Sequence, residues 1–195
     1  MNLRKIAAAG FMASLLAMPA IAQAPDAAAP AWDTLENRSR IGFEGAYQGT
    51  PFTGQFEEWE TEIRFDPENL AASSAKVVID MASAESGDDT RDSSLPGEDW
   101  FAAAMFPEAT FETDAIRSEG DGYVADGTLT IRGISQDVSL PFTLDIQDDI
   151  ARMNGALTID RSIFGVGQGA WADGKTVALE VKVEVSVVAR RAGAS

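Results

Sequence analysis

The chain has 195 residues, no cysteine, no histidine and a formal net charge of −16 at pH 7. The lack of cysteine removes disulfides, thiol chemistry and thiolate metal ligands; the lack of histidine removes the usual general base, the Ser-His-Asp triad and the commonest zinc ligand. So acidic a surface is a poor partner for nucleic acid or anionic lipid headgroups, and the length fits one domain with a sizeable core.

Arg4 and Lys5 form a positive n-region, Ile6 to Met18 an apolar h-region, and Ala20-Ile21-Ala22 a small-residue cleavage site. Residues 1–22 therefore read as a secretory signal peptide of Sec type, which predicts a periplasmic protein. The apolar run is too short to span a membrane, which takes about 20 residues. Residues 23–30, rich in Ala and Pro, read as a flexible leader, and Trp32 opens a folded domain over 31–191.

From there the chain alternates as half-buried strands do. Ile41, Phe43 and Tyr47 share a face, and Gly49-Thr50-Pro51 marks a turn. Over Phe52 to Phe65 the pattern changes parity: Phe52 and Phe56 fall on one phase, Trp59, Ile63 and Phe65 on the other. A shift of one residue flips the buried face, so a bulge is expected near Glu57-Glu58. Strands follow at residues 75–81, Ala109–Arg117 and Tyr123–Ile131. Another carries Val138, Leu140, Phe142, Leu144 and Ile146, and the next Met153, Leu157 and Ile159. The last alternates from Val177 through Leu179, Val181, Val183 and Val185 to Val187.

One stretch interrupts this pattern. Arg91 to Phe111 begins polar, turns aromatic at Trp100, Phe101 and Phe106, and is stopped by Pro107. Its Ala102, Ala103 and Ala104 favour a helical turn. It reads as a short helical insert with its aromatic side inward, acting as a plug for one barrel end or as a lid over a cavity. The Gly-rich run Ile163 to Gly169 lacks the Lys-Ser/Thr ending and βαβ context of a phosphate loop, and reads as a wide turn at the barrel mouth.

About eight strands joined by short turns, each with one apolar and one polar face, predict an all-β fold: an extended eight-stranded antiparallel lipocalin-like barrel with a short helical insert. Glu, Lys, Asp and Thr on the outward faces exclude an outer-membrane barrel. With no His, no Cys and no Gly-x-Ser-x-Gly elbow, catalysis is not expected. Glu57-Glu58 would converge for acid–base work only at a bulge.

Several stretches, in order and spacing, resemble the YceI-like family of periplasmic, lipocalin-like proteins. They are Trp32-Asp33 with Ser39 to Phe43, Gly54-Gln55-Phe56, Arg91-Asp92 with Leu95, Asp99-Trp100-Phe101, Phe106 to Phe111, Gly127 to Gly133, and Asp160-Arg161 through Gly167. Arg38 and Tyr47 stand where that family's first strand usually carries histidines. The resemblance implies a barrel that binds a polyisoprenoid or isoprenoid-quinone-type amphiphile as its ligand; without those histidines no metal is expected, and no cofactor. The run Gln168 to Trp171 resembles a subgroup associated with cytochrome b561-type membrane proteins, which implies such a partner. An alternative reading is a filled barrel that serves as an interaction module for that partner.

The expected cavity lining is Phe43, Phe56, Val77, Ile79, Phe101, Met105, Phe106, Phe111, Leu129, Phe142, Leu144, Met153 and Phe164, each of which plain core packing would also explain. Arg91 and Asp92 are candidates to tether a headgroup at the mouth; the competing reading for them is a surface ion pair.

Overall fold

The computed structural model describes residues 28–194. The expected signal peptide and most of the leader, together with Ser195, lie outside the described residues. The packed chain starts before Trp32. Ala29 is buried and its carbonyl accepts from Arg64 Nη1, while the Pro30 carbonyl accepts from the Phe65 N–H. Ala29 and Pro30, read from the sequence as the end of the leader, are thus tied to the sheet through their carbonyls.

Eleven strands follow: β1 (Ala31–Thr34), β2 (Arg40–Tyr47), β3 (Thr50–Phe56), β4 (Trp59–Arg64), β5 (Ser74–Asp80), β6 (Ala84–Glu85), β7 (Glu108–Glu119), β8 (Gly122–Ile131), β9 (Ile134–Gln147), β10 (Ile150–Asp160) and β11 (Glu180–Arg191). All pair antiparallel, and β1 pairs with both β4 and β11, so the sheet closes on itself. The barrel is eight-stranded because its first three staves are each broken in two. A 3₁₀ turn at Glu36–Arg38 divides β1 from β2, Glu57-Glu58 divides β3 from β4, and a 3₁₀ turn at Met81–Ser83 divides β5 from β6.

The break at Glu57-Glu58 is the bulge that the parity change predicts. It is held from the neighbouring stave: the Glu57 N–H donates to the Ser83 carbonyl, the Glu58 N–H to Ser83 Oγ, and the Asp80 N–H to the Glu58 carbonyl, all at 3.0–3.1 Å. Phe56 and Ile63 therefore both face inward despite their opposite phase.

The turn after β2 is Gln48-Gly49, with φ of 48° and 78°, as a type I′ hairpin requires. Thr50 and Pro51 already belong to β3, whose outer edge is unpaired there, so the missing proline N–H costs no rung.

The short helix is not where the alanines place it. Helix α1 spans Asp89–Ser94, with the Asp88 carboxylate accepting the Arg91 N–H at 2.9 Å as its N-cap. Ala102 instead has a φ of 49°, in the left-handed region, and the segment after α1 proceeds in turns. A side-chain cap fixes a helix start more strongly than three alanines fix an interior.

The core divides by barrel end. At one end Trp32, Phe65, Ile116, Ala125, Leu140, Phe142, Ala151, Val187 and Ala189 form a packed cluster. Within it Phe65, Tyr123 and Phe142 meet at centroid distances of 5.3–6.5 Å. At the other end Phe43, Ala84 and Leu95 pack with Phe52, Phe56, Trp100 and Phe101, beside a smaller cluster of Met81, Ala103 and Ala109. Between the two lies the cavity.

Candidate functional site

The cavity has a volume of about 260 Å³. Alternation supplies its wall, since every second residue of each stave points inward. It runs from Phe65 and Phe142 at the packed end to Leu95, Phe101 and Val166 under the insert. Its lining is almost wholly apolar, with Thr61, Arg64, Ser74 and Arg161 as the polar exceptions. A space larger than the roughly 150 Å³ apolar cavities that stay dry and take up apolar guests is suited to a hydrophobic molecule rather than to water.

Of the residues expected to line it, Phe43, Phe56, Val77, Ile79, Phe101 and Phe111 do so, as do Leu129, Phe142, Leu144, Met153 and Phe164. Met105 and Phe106 do not. Met105 is 74% exposed, and Phe106 lies over Gly133 in the β8–β9 turn. The reversal at Ala102 turns the chain back, so only Trp100 and Phe101 of the aromatic run reach the interior.

Arg91 and Asp92 do not form an ion pair with each other. Arg91 Nε donates to Ser86 Oγ at 2.6 Å, and Asp92 Oδ1 accepts from the Ser86 N–H at 2.8 Å and its hydroxyl at 2.5 Å. Burial raises the Asp92 pKa, but the Ser86 hydroxyl and the backbone N–H groups around it outweigh this and hold the carboxyl below its ordinary value. The Arg91 guanidinium lies over the Phe52 ring at 4.1 Å, and Phe52 lines the cavity. Both Arg91 Nη groups make no hydrogen bond among the described residues. Arg91 thus stands at the rim with donors to spare, whereas Asp92 is occupied in fixing the loop.

The residue that sequence reasoning passed over is Arg161. It is 3% exposed, lines the cavity, and has no carboxylate partner among the described residues. Each of its N–H groups donates to a backbone carbonyl: Nε to Ala178, Nη1 to Val166 and Gly167, Nη2 to Trp171 and Val177, at 2.7–3.2 Å. Burial lowers its pKa, with nearby Asp160 opposing, yet a guanidinium keeps its charge in proteins. Its donors are all consumed, so it organises the loop over Arg161–Val177 rather than binding a guest. Gly167, with φ of 77°, is required there: any side chain would collide with the guanidinium. The sequence signal was a charged residue directly before a Gly-rich run, whose carbonyls are free to turn toward it.

This loop is stitched to the insert. The Gly167 and Gln168 N–H groups donate to the Asp99 carbonyl at 2.7 Å and Trp100 and Trp171 meet at 5.6 Å; the insert is also tied to the β8–β9 turn, where Arg132 Nη1 donates to the carbonyls of Glu98 and Trp100. The insert is therefore a lid over a cavity rather than a plug filling it.

A closed antiparallel barrel with a preformed apolar cavity beneath a polar-stitched lid is the class of protein that fold and site define. The chain belongs to the YceI-like family: the YceI-like domain model matches residues 32–189. The structure of BcnA from Burkholderia cenocepacia is similar, with a TM-score of 0.77 and 34% identity over 80% of this chain and 99% of that one. A polyisoprenoid binding domain from Saccharophagus degradans, implicated in plant cell wall breakdown, shares the fold at a TM-score of 0.63 and 17% identity, over 85% of this chain and 99% of its own. Among curated relatives, a UPF0312 protein of Yersinia pestis is 37% identical over 87 residues, 45% of each chain, and one of Photorhabdus laumondii 33% identical over 101 residues. The chain spans about half the length of the curated relatives it matches.

Proposed function

We propose that this protein is a non-enzymatic periplasmic carrier that holds a polyisoprenoid or isoprenoid-quinone-type amphiphile in its barrel. The observation that carries this reading is the apolar cavity in which Arg161, the one buried cation among the described residues, has every donor satisfied. Such an interior rewards a guest with no polar atoms along its length. Burying it gains about 0.8 kcal/mol per CH₂ taken from water. A guest drawn from a membrane gains far less, so affinity comes from a cavity already formed and poorly hydrated. The headgroup belongs at the rim, where the Arg91 Nη groups offer donors. The polyisoprenoid-binding neighbour supports the ligand class, and the Arg4 to Ala22 segment supports the compartment.

The outer faces favour a further contact. Glu60 and Glu62 on β4 and Glu112 and Asp114 on β7 are exposed on nearby staves. Exposed Lys76 on β5 sits between Glu62 and Glu112, but carboxylates predominate, and such a face is suited to a basic surface on a cytochrome b561-type membrane protein, with docking that weakens as salt is added.

The test is native mass spectrometry with solvent extraction on protein purified from its own periplasm. A long isoprenoid at near-stoichiometric ratio is expected; clean apo-protein that refuses added quinones sinks the reading. Phe111→Glu places a charge in the wall and is expected to abolish uptake while the barrel still folds. Normal uptake by the folded variant means that the cavity is not the site.

A further inference from the structure

Besides the β3–β6 seam, which has rungs only at Gln55 and Phe56, two seams of the barrel are incomplete among the described residues. Between β1 and β4 the ladder stops after Trp32 and Ile63, but two positions on the hydroxyls of Thr34 and Thr61 meet at 2.6 Å and close it. Between β9 and β10 the ladder stops at Phe142 and Gly155. Beyond that point β9 stays paired with β8 as far as Ile134, and β10 with β11 as far as Asp160. Two strand edges therefore face each other without a rung, over Ile134–Pro141 and Ala156–Asp160. Pro141 stands at the head of the gap, with no N–H to offer. Among the described residues no side-chain hydrogen bond crosses it: the Ser139 hydroxyl turns away to Asp126 on β8.

Outside this gap lies a groove of about 530 Å³. The groove has a mixed lining: Gln136, Asp137, Ser139, Thr158 and Asp160 form its polar part, while Val138, Leu157, Ile159 and Phe164 line both the groove and the cavity, so one layer of side chains separates the two. The open end of the gap is flanked by Ile134 and Ile163, which are 39% and 47% exposed. In the order of staves around the barrel, β9 stands opposite β3, whose Phe52 carries Arg91. The seam is thus on the far side of the cavity from the cationic rim.

We propose that the β9–β10 groove holds the distal part of the amphiphile's chain, which leaves the cavity between these strands, so that the groove selects for long isoprenoid tails. The proposal rests on the carrier reading above. A short tail is accommodated within the cavity. A long one continues through the seam and covers Ile134 and Ile163, which otherwise remain in water. The unpaired strand edges are the means: two strands without rungs part to admit a chain at no loss of hydrogen bonds, which a complete ladder does not allow.

The test compares ubiquinone homologues carrying a geranyl and a solanesyl tail, titrated against the wild type and against Ile134→Glu/Ile163→Glu. Both sites are on the surface, so folding is expected to be unaffected. The wild type is expected to bind the solanesyl homologue more tightly. The variant is expected to lose about tenfold in affinity for it, in keeping with apolar contact area exchanged for charge, and nothing for the geranyl homologue. A second variant, Asp137→Cys/Thr158→Cys, joined by a short bis-maleimide, holds the seam shut; its thiols are the only ones in the chain. It is expected to show the same selective loss. Equal affinities of wild type and both variants for the long tail overturn the groove, and so does an equal loss for both tails. Failure of the wild type to bind either quinone overturns the carrier reading and the groove with it.

Discussion

The two ends of the barrel are held together by different forces. At the packed end the contacts are apolar: Phe65, Tyr123 and Phe142 interlock, and Trp32 joins them with its Nε1–H donating to the Phe65 carbonyl at 3.0 Å. At the lid end the contacts that fix the chain are hydrogen bonds: the Asp99 carbonyl joins the insert to the Arg161–Val177 loop, Arg132 ties the insert to the β8–β9 turn, and Arg161 holds the loop itself together. Hydrophobic burial is non-directional and fills whatever space is offered. Hydrogen bonds fix a geometry without needing the space beneath them to be filled. The lid end also turns apolar side chains inward, Leu95, Trp100, Phe101, Phe164 and Val166, but its segments are held in place by hydrogen bonds and the space beneath them is left unfilled.

Replacing Arg161 breaks this contrast most severely. Arg161→Leu leaves the carbonyls of Val166, Gly167, Trp171, Val177 and Ala178 without their donor. At about 1–3 kcal/mol for each group that stays buried, a loss on the order of 5 kcal/mol is expected. Lysine brings three donors on one atom and does not rescue it. Urea unfolding measures this directly, and a midpoint equivalent to within about 1 kcal/mol of the wild type would show that the loop does not depend on the guanidinium.

At the packed end the expected effect is smaller. Phe142→Ala removes a ring that packs on Tyr123 but also borders the cavity. The void it leaves merges with space already there, so about 3 kcal/mol is expected, the low end of the range for such truncations. Thermal unfolding with an unchanged denaturant slope distinguishes this from a change in cooperativity. A loss larger than that of Arg161→Leu would reverse the assignment of which end is the more sensitive to a single substitution.

The barrel was legible because alternation is a local property. The inward residues of β5, β7, β8 and β9 follow from period two, and the bend at Glu57-Glu58 follows from a change of phase. The lid was not legible in the same way. Its residues have no period, so the aromatic run did not reveal that Trp100 and Phe101 turn inward while Met105 and Phe106 turn out; that depends on the left-handed backbone at Ala102. Arg161 reads as a surface charge until its five carbonyl partners are placed around it. The open seam was equally hidden. Alternation tells which way Val138 and Leu157 point but not whether their strands remain paired, since pairing is a relation between segments distant in the chain.

The smallest effect concerns pH. The hydrogen bonds from Ser86 hold Asp92 below its ordinary 3.8, so the folded state favours the carboxylate. A lowered folded pKa contributes stability that is fully present above 3.8 and is lost as pH falls through the folded value. With no histidine in the chain, no side chain has an ordinary pKa between 5 and 8, and this contribution is constant near neutrality. Asp92→Asn keeps the shape but exchanges the charge-assisted bonds for neutral ones, and at pH 7 is expected to cost up to about 1 kcal/mol. As the pH falls through the folded value the wild-type carboxyl is itself protonated, so the two melting temperatures are expected to converge there. Melting curves of both proteins at pH 7 and at decreasing acid pH decide it. A gap that stays constant into acid would mean that Asp92 holds the turn before α1 through its shape alone, and that the lid end carries no acid-sensitive bond at this site.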